Sequence, residues 1–240
     1  MPSYRPLLNH FVAVLCLVLL TVTASFAQEK EKIKMKPTEG KLSSTVRSKA
    51  YYYPQFQAGK VSFISGVVSS ATLNYNMLTG EVEFINARKD TLAVDNMYLI
   101  KLITIGTDSF YYDAESTQLL KLVDDISGRK LLVKEKYALA DVKNVGAMGV
   151  ESSTASPTNT TNTDFRQTQN KLKSNESMIF SARSYYYFGV QDKYLPATKG
   201  NFLKLFPQHS DKLKSYMKEN NLDLKSKEEI QKLLQYASGL

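Results

Sequence analysis

From Tyr51 to Val145 the chain is written in short apolar runs, separated at roughly ten-residue spacing by turn signals, the grammar of antiparallel strands. Val61, Phe63 and, after Gly66, Val67 open an alternating pattern. "LIKLITIGTDSFYYD" holds two runs around Gly106-Thr107-Asp108, and "TQLLKLVDDISGRKLLVKEKYALADV" holds two more around Ser127-Gly128. Two connections share a form, "MLTG" at 77–80 and "DISG" at 125–128. A type I turn closed by a glycine in the left-handed region makes a loop of this kind. With 77–80 as loop, Asn76 faces Glu81, Tyr75 faces Val82, Asn74 faces Glu83 and Leu73 faces Phe84. Side chains alternate across a strand, so Leu73, Tyr75, Val82 and Phe84 share one side, and Asn74, Asn76, Glu81 and Glu83 the other. The fold class expected is α+β: a mainly antiparallel β domain over 49–150, as curved sheet, sandwich or open barrel, followed by a small C-terminal helical segment.

The flanks read differently. Residues 28–48 are charged and aperiodic, the pattern of a flexible leader. The stretch 151–176 is dominated by Ser, Thr, Asn and Gln and offers too little apolar surface to offset its ordering entropy, so it reads as a linker or surface loop. Residues 177–197 look extended and return to the β domain. Their Tyr185–Tyr187 echoes Tyr51–Tyr53. Tyrosine favours strands, which is the structural reading of both triplets; a strip for sugars or an aromatic belt is the functional one. Residues 198–240 are helical. One helix stops at Pro207, and Ser210 is placed to cap a second with Leu213, Tyr216 and Met217 on one face. Ser226 and Glu229 form a capping box for a third, with Ile230, Leu233, Leu234 and Ala237 aligned. Their narrow apolar stripes and mixed-charge polar faces favour packing on the sheet or on one another over a membrane surface.

The N-terminus carries Arg5, an apolar core from Phe11 to Leu20, and small residues at Ser25 and Ala27. This is the pattern of a secretory signal over residues 1–27, cleaved near Ala27, with a core too short to span a membrane. Cys16 lies inside the apolar core after Leu15, where a lipobox needs a small residue. Loss of Arg5 from the 31 basic residues leaves 30 against 23 acidic ones, a net charge of +7. The mature chain keeps no cysteine, no tryptophan and one histidine, His209. Disulfide staples and cysteine nucleophiles are therefore excluded, no local zinc ligand set exists, and a Ser-His-Asp triad would rest on His209 alone. The expectation is no metal, no cofactor and no nucleic acid, with the positive charge suited to anionic lipid or polysaccharide.

The stretches "YYYPQFQAGKVSF", "TLNYNMLTGEVEFI", "DTLAVDN", "IGTDSFYY" and "NFLKLFPQHSDKLKSYMKENNLDLKSKEEIQKLLQY" resemble a family of uncharacterised exported proteins of Bacteroidota-type bacteria. The resemblance covers most of the mature chain in the same order. It implies an envelope location, periplasmic or at the cell surface, a β domain and a helical tail. It brings no activity, no catalytic residues and no ligand.

Asn74, Asn76, Glu81 and Glu83 form a contiguous polar patch. It reads first as a solvated face, and second as a calcium or carbohydrate patch. A glycosidase pair of Glu81 and Glu83 ranks last. Asp90-Thr91-Leu92 resembles an O-glycosylation sequon, which makes Thr91 the candidate acceptor. The favoured function is a non-enzymatic, exported envelope protein that binds or scaffolds an envelope protein, polysaccharide or lipid. The alternative is a periplasmic carrier of a lipid or amphiphile, with Leu73, Tyr75, Val82 and Phe84 lining an apolar groove under a helical lid.

Overall fold

A computed structural model of the protein describes residues 32–35, 44–145, 150–155 and 176–240. The signal segment, with Arg5, Cys16, Ser25 and Ala27, lies outside the described residues, as does 156–175 of the proposed linker.

The strands in chain order begin with β1 (Lys32–Met35), β2 (Gln57–Phe63), β3 (Val68–Asn76), β4 (Glu81–Ile85), β5 (Thr91–Ala93) and β6 (Ile100–Ile105). They continue with β7 (Asp108–Asp113), β8 (Gln118–Ile126), β9 (Arg129–Val145), β10 (Glu151–Ala155), β11 (Glu176–Val190) and β12 (Lys193–Pro196). All belong to one 12-stranded sheet, ordered β1-β11-β9-β8-β7-β6-β2-β3-β4-β5, with β10 also on β9 and β12 also on β11. Every pairing is antiparallel. The architecture is thus an unclosed curved sheet, not a two-sheet sandwich. Between the stretches of β9 that pair with β8 and with β10, the β3–β4 turn meets the strand, where the Tyr137 amide donates to the Met77 carbonyl at 2.9 Å.

The β3–β4 hairpin has the register read from sequence, Leu73 to Phe84 through Asn76 to Glu81. The Gly80 amide closes its loop onto the Asn76 carbonyl at 2.7 Å, with Gly80 at φ 76°. The second expected turn differs. Ile126 pairs directly with Arg129, and both Ser127 (φ 54°) and Gly128 (φ 75°) are left-handed. That is the two-residue turn whose twist matches the flanking strands, so it replaces the type I turn expected at 125–128.

Two boundary readings are corrected. The leader is not free of structure: β1 pairs with β11, and Ser44–Ala50 forms helix α1. Ile33 and Met35 of β1 are buried and Lys32 and Lys34 are not, so four residues suffice to add a strand when alternate ones enter a core. The start of the proposed linker, Glu151–Ala155, is likewise the strand β10 on β9. Hydroxyl-rich composition does not prevent edge pairing, because the ladder is made by backbone.

Among the described residues, three buried clusters line the inner face. One lies in the arc of β2 to β7 and holds Val61, Leu73, Tyr75, Val82, Ile103, Ile105 and Phe110. A second gathers Ile33, Met35, Ala50, Leu78, Tyr137, Met178 and Phe180. The third seats the C-terminal helices, α2 (Lys199–Leu205), α3 (Ser210–Glu219) and α4 (Lys227–Ser238), on Leu131 and Phe188 of the sheet. Leu213, Met217, Ile230, Leu233, Leu234 and Ala237 all turn inward, so the amphipathic faces are spent on packing. Phe188, Phe202 and Phe206 pack in series as tilted rings with centroids 5.3 and 5.1 Å apart, and Tyr216 lies flat on Tyr236 at 3.8 Å. Ser226 caps α4 by accepting from the Glu229 amide, but the Glu229 carboxylate accepts from the Asp223 amide instead of closing the box on Ser226. Ser210 does not cap α3. A 3-10 turn at Pro207–His209 already carries the chain into it, leaving Ser210 as the first helical residue behind His209. Among the described residues, no helix is long and apolar enough to cross a membrane.

Candidate functional site

The polar four of the β3–β4 hairpin come together as expected, with Glu81 and Glu83 half-buried, but the two asparagines are not solvated. Asn74 is 1% exposed and Asn76 7%, because Tyr51–Tyr53 runs along β3 beyond the end of β2. Tyr51 bridges Asn76, and the Tyr52 amide donates to the Tyr75 carbonyl. Asn74 supplies what this irregular segment lacks. Its Oδ1 accepts from the Tyr53 and Tyr75 amides at 3.2 and 2.8 Å, and its Nδ2 donates to the Tyr53 carbonyl at 2.9 Å. Asn76 Oδ1 accepts from the Leu78 and Thr79 amides and so braces the turn, while its Nδ2 donates to Glu83 Oε1 at 2.8 Å. The Tyr51 hydroxyl donates to the other Glu83 oxygen at 2.5 Å. Burial and this bond raise the Tyr51 pKa. The patch is a braced polar network, and both Glu83 oxygens are occupied within it.

The apolar four occupy the other side. Leu73, Tyr75 and Val82 are at most 3% exposed and pack in the β2–β7 core, with Phe84 half-buried against it. The side chains that a carrier groove would present to a ligand are therefore spent on Ile103, Ile105 and Phe110. Thr91 opens the exposed edge strand β5, with its side chain accessible. His209 stands at the entry to α3.

A polar cluster that the sequence reading missed lies on the inner face. Lys121 of β8 pairs with Val133 of β9, so Glu135, two residues on, is its diagonal neighbour on the same side. Lys121 Nζ lies 2.9 Å from Glu135 Oε2, with side-chain exposures of 15% and 25%. The ammonium also donates to the Tyr52 hydroxyl and sits 4.0 Å from that ring's centroid. Burial opposes the Lys121 charge, yet the bonds to Tyr52 and Glu135 outweigh it and its pKa is raised. Around the pair stand Tyr53, which donates to Asp108 at 2.6 Å, and Tyr75, whose pKa is raised by burial and then by the Glu135 charge. The signal was present: a charge interrupts the inward phase of two adjacent strands, Leu119-Lys121-Val123 and Val133-Glu135-Tyr137. Linking them required knowing how β8 and β9 pair.

The outer face of the same strands is different in kind. Tyr111 stands opposite Leu120, Tyr187 opposite Leu132, Tyr185 opposite Lys134, and Tyr194 opposite Gly189. All four tyrosines are half-buried. Lys130 lies over the Tyr111 ring and Lys136 over the Tyr185 ring, each at 5.6 Å. Lys134 donates to Gln118 Oε1 at 2.9 Å. Desolvation lowers the pKa of Lys134 and of Lys136. Burial, then the nearby Asp192, push the Tyr194 phenol up to about 12. Gly189 makes room for this layer, since a Cβ there would stand 2.8 Å from Leu132 Cδ1 and 3.3 Å from the Tyr194 ring. Of the two tyrosine triplets, only Tyr185 and Tyr187 reach this face. Tyr186 points inward toward the helices, and Tyr51–Tyr53 serves the hairpin.

Comparison with family models, curated proteins and solved structures returned no match.

Proposed function

We propose that the protein is an exported, non-enzymatic envelope protein that binds an acidic polysaccharide on the outer face of β7, β8, β9, β11 and β12. The observation that supports this most is the interleaving of Tyr111, Tyr185, Tyr187 and Tyr194 with Lys130, Lys134 and Lys136 on that one face. Tyrosine supplies broad apolar area with a polar tip at small entropic cost. Lysines held over aromatic rings supply a fixed positive field. A regular sheet face, with no enclosing walls, suits a polymer that lies along it. The net charge of +7 left after loss of Arg5 favours an acidic chain over a neutral one. Export and envelope location rest on the N-terminal signal pattern and the resemblance. The carrier alternative is weaker because the buried Leu73, Tyr75 and Val82 leave no apolar side for a lipid in that hairpin.

The test is calorimetric titration with a polyuronate and, in parallel, a neutral glucan. Preferential binding of the polyuronate, weakening as salt rises and reduced about tenfold or more in Tyr185→Ala and Lys136→Gln, is the expected result. Equal affinity for both polymers, or unchanged binding in both variants, would sink the proposal. Lipid co-purifying in stoichiometric amount would support the carrier instead.

A further inference from the structure

The geometry points to a second binding site, for a small organic carboxylate with an apolar body, in the cavity between the start of β9 and the C-terminal helices. The cavity measures about 320 Å³ and is lined by Arg129, Leu205 to His209, Ala237 and Ser238. Three parts of the chain converge there for separate reasons. Arg129 follows the Ser127-Gly128 turn directly and shares the inward phase of Leu131, so its side chain rises toward the helices. Helix α2 ends at Leu205, and Pro207 turns the chain aside at the 3-10 turn, leaving Phe206 as the floor. The last turn of α4 brings Ala237 and Ser238 to the other wall.

The chemistry of the lining selects the ligand. The Arg129 guanidinium lies on the Phe206 ring at 4.3 Å. Stacking of this kind occupies the face of the guanidinium and leaves its edge N–H donors free, in the fork that matches a carboxylate. Among the described residues Arg129 has no carboxylate partner, and no acidic residue lines the cavity. A half-buried cation of this kind gains from an anion brought by a ligand. Leu205, Phe206, Pro207 and Ala237 form an apolar floor, and Gln208, His209 and Ser238 form a polar rim. The volume lies at the lower end of the range for small-molecule sites, which fits a single ring or a short chain and excludes a polymer. The site shares no residue with the outer tyrosine-lysine face, so it stands or falls separately from the polysaccharide reading.

The experiment is an amide-resolved NMR titration of the full protein with benzoate, hexanoate, benzamide and inorganic phosphate. Benzoate and hexanoate are expected to cause saturable shifts at the amides of Arg129, Phe206, His209 and Ser238, and benzamide to cause none at equal concentration. Arg129→Gln should weaken benzoate at least about tenfold, the loss of a charge-assisted hydrogen bond, while Arg129→Lys falls between. Ser238→Phe, which fills the cavity from its exposed rim, should abolish binding without removing the charge. It decides the matter if Arg129→Gln does not fold. Absence of saturable shifts, benzamide binding as tightly as benzoate, or full affinity in the variants would each overturn the site. Phosphate binding more tightly than benzoate would overturn its assignment to carboxylates.

Discussion

Replacing Lys121 with Met is the most informative single perturbation of the inner face. Methionine keeps the volume and removes the charge that faces Glu135 at 2.9 Å. Breaking a buried ion pair by deleting one partner costs about 3–5 kcal/mol, because the other charge stays buried and unpaired. Glu135 keeps 25% of its side-chain surface, so water relieves part of that penalty and the expected loss is about 3 kcal/mol, at the low end of the range. Glu135→Leu leaves Lys121 with only the Tyr52 hydroxyl and ring, and should cost about 2–3 kcal/mol. The double variant puts two apolar side chains where the sheet already offers Phe110 and Val133. It should fall within about 1 kcal/mol of the parent, a coupling of about 4 kcal/mol. Urea unfolding with a common slope across the four proteins measures all three values. The Lys121 pKa is raised in the folded state. Its contribution is therefore fully present below the ordinary lysine range near about 10.4, and is lost as pH rises through the higher folded value. The coupling should be flat from about pH 6 to about pH 9. Simple additivity in the double variant, or a Lys121→Met loss under about 0.5 kcal/mol, would refute the reasoning.

Asn74→Ala should destabilise by about 2–4 kcal/mol, since it strands the Tyr53 amide and carbonyl beside the hairpin; a loss under about 1 kcal/mol in urea unfolding would show that Asn74 does not brace Tyr53. Gly189→Ala should cost about 1–3 kcal/mol through the clash with Leu132 and weaken polyuronate binding by displacing Tyr194; calorimetry on the folded variant checks the second part, and unchanged values in both assays would contradict the packing described. Tyr75 has a raised pKa, so its contribution to stability is present below about pH 10 and declines by about 1.4 kcal/mol per pH unit above it. Tyr75→Phe should remove that much of the slope while leaving stability at neutral pH equal or slightly higher; an unchanged alkaline slope would count against it.

How much of this was legible in the sequence depends on whether a feature was local. The β3–β4 register followed from Gly80 and the alternation around it, and the inward stripe of α4 from Ile230, Leu233, Leu234 and Ala237. Both are set by residues within a few positions of one another. The burial of Asn74 and Asn76 was not legible, because it comes from Tyr51–Tyr53, and nothing in the hairpin says which segment lies beside it. The same holds for Lys121 and Glu135. Each reads as a solvated charge until the β8–β9 pairing, with its irregularity between Leu122 and Asp124, puts both on the inner face. The leader misled for the opposite reason. Lys32–Met35 is too short to register as a strand by composition, yet β11 supplies the partner edge.

The hairpin and the outer face of the sheet also differ in what their polar residues do. Polar residues that fold a chain and polar residues that bind something look alike in sequence. They differ in whether their hydrogen-bonding capacity is used up at home. Asn74, Asn76 and Glu83 spend theirs on the backbone of Tyr53, the turn amides and Tyr51. On the outer face, Lys130 is held over the Tyr111 ring, which fixes its position without satisfying the N–H donors of the ammonium. Arg129 on Phe206 repeats the arrangement in the cavity. A cation steadied by an aromatic face can still meet a partner, which is what favours the tyrosine-lysine face and the Arg129 cavity as the proposed binding places, while the Asn-Glu hairpin braces its own turn and the Tyr51–Tyr53 segment.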